Sequence, residues 1–299
     1  MQIEGNKISS KKINLMKEDQ PSRTAQLVAI RRAAHQILDR PRVFDDPLAL
    51  HVIGQESAHA LLTGQHQSEE PKVSLHLRAF YVARSRYAED SLAIAVGRGV
   101  RQYVILGAGL DTFAYRNPYP EGALRVFEVD HPATQAWKRA RLEEAGIPLP
   151  VDLRFASIDF ERQTLADGLR DAGYDPCLSS FFSWLGVTPY LTTGGVMMIL
   201  RFIASAPKGS GVVFDYTVFP SLLTPDQRLI FDALVKRVDW VREPWQMFFD
   251  PADLKKDLLA MGFGHVEDIR PAEINARYFE DRTDELRVGS LAHIMDVRV

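Results

Sequence analysis

The chain has one cysteine in 299 residues, Cys177, so it can form no disulfide of its own and build no cysteine-rich metal site. That usage fits a reducing compartment. Basic residues are not in surplus either: 36 Lys and Arg stand against 39 Asp and Glu, a formal net charge of −3. A nucleic-acid binder held by phosphate contacts needs a basic excess or a clustered basic face. Neither is present, since even Lys138-Arg139-Ala140-Arg141 is followed by Glu143-Glu144. Residues 1–20 are polar and lack the apolar stretch of a signal peptide, so they read as a mobile tail on a cytoplasmic protein. From Pro176 to Leu200 there is no charge over a length that could span a bilayer. Gly186, Pro189, the pair Gly194-Gly195 and several Ser and Thr interrupt it, however. A buried strand, a loop and an inward-facing helix describe that stretch better than a membrane segment. Internal repeats, low-complexity segments and metal-ligand spacings are also lacking.

What is present is an ordinary globular balance, 46% apolar and 25% charged, in two textures. Residues 21–97 read as a helical cap without strands. Ser22 is placed to cap a first helix in which Ala25, Ala29, Ala33 and Ile37 recur at helical spacing. Asp46-Pro47 opens a short second helix that Gly54 ends, and a long third runs from Val73 through Leu77, Phe80, Tyr81, Arg84 and Tyr87 to Gly97. Residues 98–299 read as alternating strands and helices. Apolar runs fall at Tyr103–Leu106, Leu124–Val129, Leu153–Ala156, Leu178–Trp184, Val212–Val218, His265–Ile269 and Leu291–Val297, with amphipathic stretches such as Pro132–Ala145 and Glu161–Ala172 between them. Such alternation implies βαβ units and a mostly parallel, doubly wound sheet of seven strands. An insert at about 219–250 breaks the rhythm and carries Trp240, Trp245, Phe248 and Phe249. It reads either as a wall or lid over a ligand pocket or as ordinary packing of an extra helix.

Three strand ends carry the chemistry. The run Val104-Ile105-Leu106-Gly107-Ala108-Gly109-Leu110-Asp111-Thr112 takes a strand into glycines, where a doubly wound fold brings its backbone against a ligand. A dinucleotide site wants a third small residue where this chain has Thr112, and Asp111 would repel a pyrophosphate while tolerating a cationic ligand. Asp130 ends the next strand, 21 positions after Gly109 (130 − 109), the spacing of a carboxylate that accepts from ribose hydroxyls. It could equally cap the helix starting at Pro132, and the two roles are compatible. Asp159-Phe160 follows the third strand, a carboxylate to accept from an exocyclic amine and a ring to pack on a base, although an Asp there is commonly a turn residue.

Taken together with Thr24-Ala25, Arg32-Ala33, Phe44-Asp45-Asp46-Pro47-Leu48-Ala49, Ala83-Arg84-Ser85-Arg86 and Pro189-Tyr190-Leu191, these runs resemble the leucine carboxyl methyltransferase family, in its bacterial branch of S-adenosyl-L-methionine-dependent methyltransferases. The resemblance implies a class I methyltransferase (Rossmann-like) α/β fold, its seven-stranded sheet ending in an antiparallel strand, with S-adenosyl-L-methionine as cofactor. It implies that Arg84 pairs with the methionine carboxylate and that Gly107 and Gly109 line the amino-acid end. Asp130 would hold the ribose, and Asp159 and Phe160 the adenine. Family members often carry Glu-Gly ahead of the Tyr-Leu pair; counting back from Tyr190, this chain has Leu185 at the glutamate position.

The reaction so implied is O-methylation of a small-molecule or peptide carboxylate, with no nucleic-acid or membrane partner and no metal. A carboxylate acceptor is already ionised and needs no general base, so no catalytic residue is assigned. A phenol or alcohol would need one, for which His51, His59, His66, His76 and His131 qualify by residue type alone. Thr188, Tyr190 and Tyr216 lie near strand ends and are candidates to touch the acceptor. Two alternatives stand: a nicotinamide-dependent oxidoreductase on the same layers, and a non-catalytic cofactor-binding protein, which the Leu185 departure keeps open.

Overall fold

In the computed structural model, which describes residues 22–64, 72–158, 163–240 and 245–299, the apolar runs become seven strands. These are β1 (Gln102–Leu106), β2 (Arg125–Asp130), β3 (Leu153–Ser157), β4 (Ser180–Trp184), β5 (Gly211–Tyr216), β6 (His265–Ile269) and β7 (His293–Arg298). Every residue of β1, β4 and β5 is buried, as central strands covered on both faces must be. The sheet order is β3-β2-β1-β4-β5-β7-β6; β1 to β5 pair in parallel, and β7 is antiparallel to both β5 and β6. The seven-stranded, doubly wound expectation with an antiparallel last strand is therefore met.

Among the described residues ten helices surround the sheet: α1 (Arg23–Leu38), α2 (Ala49–Val52), α3 (Gln55–Leu62), α4 (Lys72–Gly97), α5 (Pro132–Glu144), α6 (Leu165–Asp171), α7 (Thr193–Ala204), α8 (Pro225–Trp240), α9 (Pro251–Ala260) and α10 (Pro271–Tyr278). Side chains alternate between two cores with the period of a strand. Tyr103, Ile105, Phe181 and Val213 face α4 and α10, while Val104, Leu106, Phe182 and Phe214 face α6, α7 and α9. Between β2 and α5 the fully buried Glu128 meets Lys138 at 2.7 Å.

The cap is not a free-standing unit. Ala29 and Ala33 of α1, Val52 of α2 and Leu61 of α3 share a third cluster with Leu110 of the glycine turn and Leu142 of α5. Ser22 caps α1 as expected, its hydroxyl accepting from the Ala25 N–H at 3.1 Å. The helix expected from Glu161 instead begins at Leu165, because the Thr164 hydroxyl closes its first turn by accepting from the Asp167 N–H. The uncharged stretch from Pro176 resolves into β4, a 3-10 turn over Thr188–Tyr190 and α7; among the described residues no helix is long and apolar enough to cross a membrane. Cys177 is exposed in the turn leading into β4, at the amino-terminal edge of the sheet. The proposed tail, 1–20, lies outside the described residues.

Candidate active site

The chain leaves β1 for β2 on one side, while β4 flanks β1 on the other, so the strand order reverses between β1 and β4. Carboxyl ends diverge at such a point and open the crevice in which doubly wound folds bind ligands. Gly107 stands there with φ +66°, and a Cβ on it would lie 2.3 Å from Val187 Cγ2. Only glycine lets the turn after β1 close against the turn after β4. A Cβ on Gly109 would come 3.1 Å from Ala25 Cβ, so α1 lies over the same turn.

Asp130 reaches back from the end of β2 to this turn. Its Oδ2 accepts from the Gly109 N–H at 2.6 Å and its Oδ1 from the His131 N–H at 2.7 Å. Each oxygen keeps a second lone pair for a ligand. Desolvation pushes the Asp130 carboxyl above its ordinary value, against the pull of the two N–H groups. Capping of α5 falls to His131, whose Nδ1 accepts from the Ala133 N–H at 3.3 Å, and not to Asp130.

Asp111 stands on the same turn. Its Oδ1 accepts from the Phe113 N–H at 2.7 Å, and its Oδ2 stands 3.9 Å from Arg32 Nη1, so part of its charge is met within the protein. Arg32 also donates to the Leu110 carbonyl at 2.9 Å and pairs with Asp46 at 3.0 Å. The Thr112 hydroxyl donates to Asp46 Oδ1, and Arg116 joins Thr112 at 3.0 Å and the Glu89 carboxylate. The cap is thus bonded to the loop that shapes the crevice, a link that single motifs read one by one did not reveal.

Arg84, 5% exposed on α4, places Nη1 2.7 Å from Asp215 Oδ2, and its guanidinium lies 4.7 Å from the Tyr81 ring centroid. Asp215 Oδ1 accepts from the Gly186 N–H at 2.5 Å. Gly186 has φ +74°, and a Cβ there would lie 2.7 Å from Arg84 Nη2, so glycine is what admits the guanidinium. Sequence reasoning passed over Asp215; the trace it left was a lone carboxylate inside the apolar run Val212–Tyr216.

Beside this pair opens a cavity walled by Leu77, Phe80, Tyr190, Ile230, Leu234 and Trp245. Of the insert, Trp245 lines this cavity, Phe249 joins the core under β5, and the Trp240 side chain lies outside the described residues. Tyr216 also borders the cavity, but its hydroxyl donates to Asp268 Oδ1 at 2.9 Å and lies 3.3 Å from His293 Nδ1. Desolvation first, then the Asp268 charge, keeps that phenol protonated far above its usual range. Thr188 departs from expectation: it is fully buried and donates to the Asp215 carbonyl at 2.7 Å, serving the scaffold. His76 lines the cavity; His51 and His59 are exposed. Asp159, Phe160 and His66 lie outside the described residues. No His, Cys, Asp and Glu grouping fit for a metal occurs among those described.

Comparison with known proteins shows the family and the fold. The sequence model of the family described as "Leucine carboxyl methyltransferase" matches residues 25–204. A Bacillus subtilis protein named "Putative S-adenosyl-L-methionine-dependent methyltransferase YktD" is 32% identical over 301 residues, covering 93% of this chain and 98% of that protein. A Saccharopolyspora erythraea protein of the same general name is 35% identical over 64% of this chain and 66% of its own length. Among solved structures, a crystal structure from Thermobifida fusca titled as a putative methyltransferase superposes with a TM-score of 0.52 at 16% identity, covering 94% of this chain and 95% of that one. That likeness speaks for the fold.

Proposed function

The chain belongs to the leucine carboxyl methyltransferase family, and on that premise we propose that it moves the methyl group of S-adenosyl-L-methionine onto an oxygen of a small, largely apolar acceptor, a carboxylate first of all. The observation that carries the reading is the apolar cavity lying against the strand-end crevice, with Arg84 and Gly186 at the junction. The side chains present suit the cofactor. Asp130 has lone pairs left for ribose hydroxyls, Arg84 offers a buried guanidinium to a carboxylate, and Gly107 and Gly109 present backbone without side chains. The adenine roles of Asp159 and Phe160 rest on the family resemblance alone.

The cofactor supplies a methyl group on a sulfonium. In the transfer the sulfur–methyl bond would break as an oxygen–methyl bond forms, the bonding pair staying on a sulfur that would leave as a neutral thioether. The protein's share is alignment and exclusion of water. Leu77, Phe80, Ile230, Leu234 and Trp245 form a dry wall around the acceptor, and a carboxylate brings its own charge, so none of the histidines has to take a proton. Apolar walls also favour a compact molecule over a peptide, whose backbone amides would need partners.

The test joins binding and turnover. Calorimetric titration with S-adenosyl-L-methionine is expected to show binding by the intact protein and its loss in Asp130→Ala. A screen of apolar carboxylic acids beside their amides, read as S-adenosylhomocysteine released, is expected to score only the acids. Release with phenols but not acids would overturn the carboxylate assignment.

A further inference from the structure

Arg84 and Asp215 place opposite charges 2.7 Å apart, both about 95% buried, in the lining of the cavity beside Gly186. Withdrawing two charges from water is costly, and a pair kept for stability alone is replaceable by apolar side chains. This pair borders a ligand space instead. A guanidinium has five N–H donors, of which Nη1 is engaged with Asp215, and a carboxylate accepts at two oxygens. Side by side they are the charge complement of an α-amino acid, which carries an ammonium and a carboxylate on one carbon.

The register of the central strands adds a second observation. β4 and β5 pair Trp184 with Phe214, so the next positions, Leu185 and Asp215, stand beside each other and point to the same face, the face that α4 covers. Leu185 packs into the core on that side, and the neighbouring Gly186 N–H is bonded to Asp215. Positions 185 and 215 are therefore neighbours on the face of the sheet that α4, with Arg84, covers, and in this chain the negative charge sits on β5.

We infer that Asp215 receives the ammonium of the cofactor's amino-acid end while Arg84 receives its carboxylate, so that β5 supplies the charge that Leu185 does not supply from β4. The inference rests on S-adenosyl-L-methionine being the cofactor.

Two ligands separate the contributions. S-adenosylhomocysteine carries the amino-acid end; 5′-methylthioadenosine keeps the nucleoside and thioether without it. Calorimetry on the intact chain and on the near-isosteric Asp215→Asn is expected to show S-adenosylhomocysteine weakened roughly 10- to 100-fold, with methylthioadenosine within about twofold. Retained methylthioadenosine affinity certifies the fold of the variant. Adding Leu185→Glu to Asp215→Asn is expected to recover part of the loss, and no recovery would overturn the equivalence of the two positions. Unchanged S-adenosylhomocysteine affinity in Asp215→Asn, or equal weakening of both ligands, overturns the inference. Binding of neither ligand by the intact chain would instead overturn the cofactor reading, and this inference with it.

Discussion

Thr112 donates its hydroxyl to Asp46 Oδ1 at 2.8 Å, joining two residues 66 positions apart. Asp46 is at the same time the buried partner of Arg32, and Arg116 lies 3.5 Å from it. The glycine turn is thereby held from above by the cap, and the carboxylate at the centre of that hold is fully enclosed by protein.

Asp46→Ala would leave two guanidinium groups with less than their full complement of acceptors in a buried place. A loss of about 3–5 kcal/mol of stability is expected, with the cofactor bound more weakly as the turn loosens. Asp46→Asn, which still accepts from Thr112, is expected to lose less. Urea denaturation of the three proteins checks the order.

Ligand binding should sense the protonation of Asp130. Desolvation raises its carboxyl above the ordinary value, so on acidification it loses its charge sooner than an exposed aspartate would. Cofactor affinity is expected to fall as pH is lowered, with a midpoint above the usual aspartate range. Asp130→Asn should bind weakly and without that pH dependence. Titrations from neutral to acidic pH make the comparison.

Much of this was legible in the sequence, and the limits have physical causes. Strands wholly buried on both faces declare themselves as unbroken apolar runs, which is why β1, β4 and β5 were found near their observed positions. The position of Asp130 beside the glycine turn could be read because Gly109 lies in the adjacent βα unit. Asp215 could not, since what gives it meaning is Arg84, 131 positions earlier on a helix that crosses the sheet. The place of Thr188 was hidden for a related reason: whether a polar group faces ligand or scaffold depends on donors and acceptors that tertiary structure brings to it.

Glu128 and Lys138 give a stability prediction with a defined sign. Burial pushes the Glu128 carboxyl from 4.5 up to about 7, against the pull of Lys138. The folded state therefore holds more protons than the unfolded state between those values, and the contribution of this group to stability is full below pH 4.5 and lost as pH rises through about 7. Glu128→Gln, which is uncharged at every pH, should abolish that slope and stand nearest the parent in stability where the parent's own carboxyl is protonated. Denaturation at pH 5 and pH 8, values chosen to bracket the window, reads both effects.

Tyr216→Phe is expected to separate stability from turnover. Its hydroxyl serves Asp268 and His293 rather than the cavity, so removal should cost about 1–3 kcal/mol and leave acceptor affinity and turnover near those of the parent. A collapse of turnover in a well-folded variant would put the hydroxyl back among the groups that touch the acceptor.

The lone thiol has a practical consequence. Cys177 is exposed just before β4, whereas the crevice lies beyond the other end of that five-residue strand, roughly 16 Å away at about 3.3 Å per residue. One maleimide dye would attach at one address, without prior removal of competing sulfhydryls. Paired with a second fluorophore introduced on α1, it becomes an optical ruler between sheet and cap, reporting whether the helix over Gly109 shifts as ligand arrives.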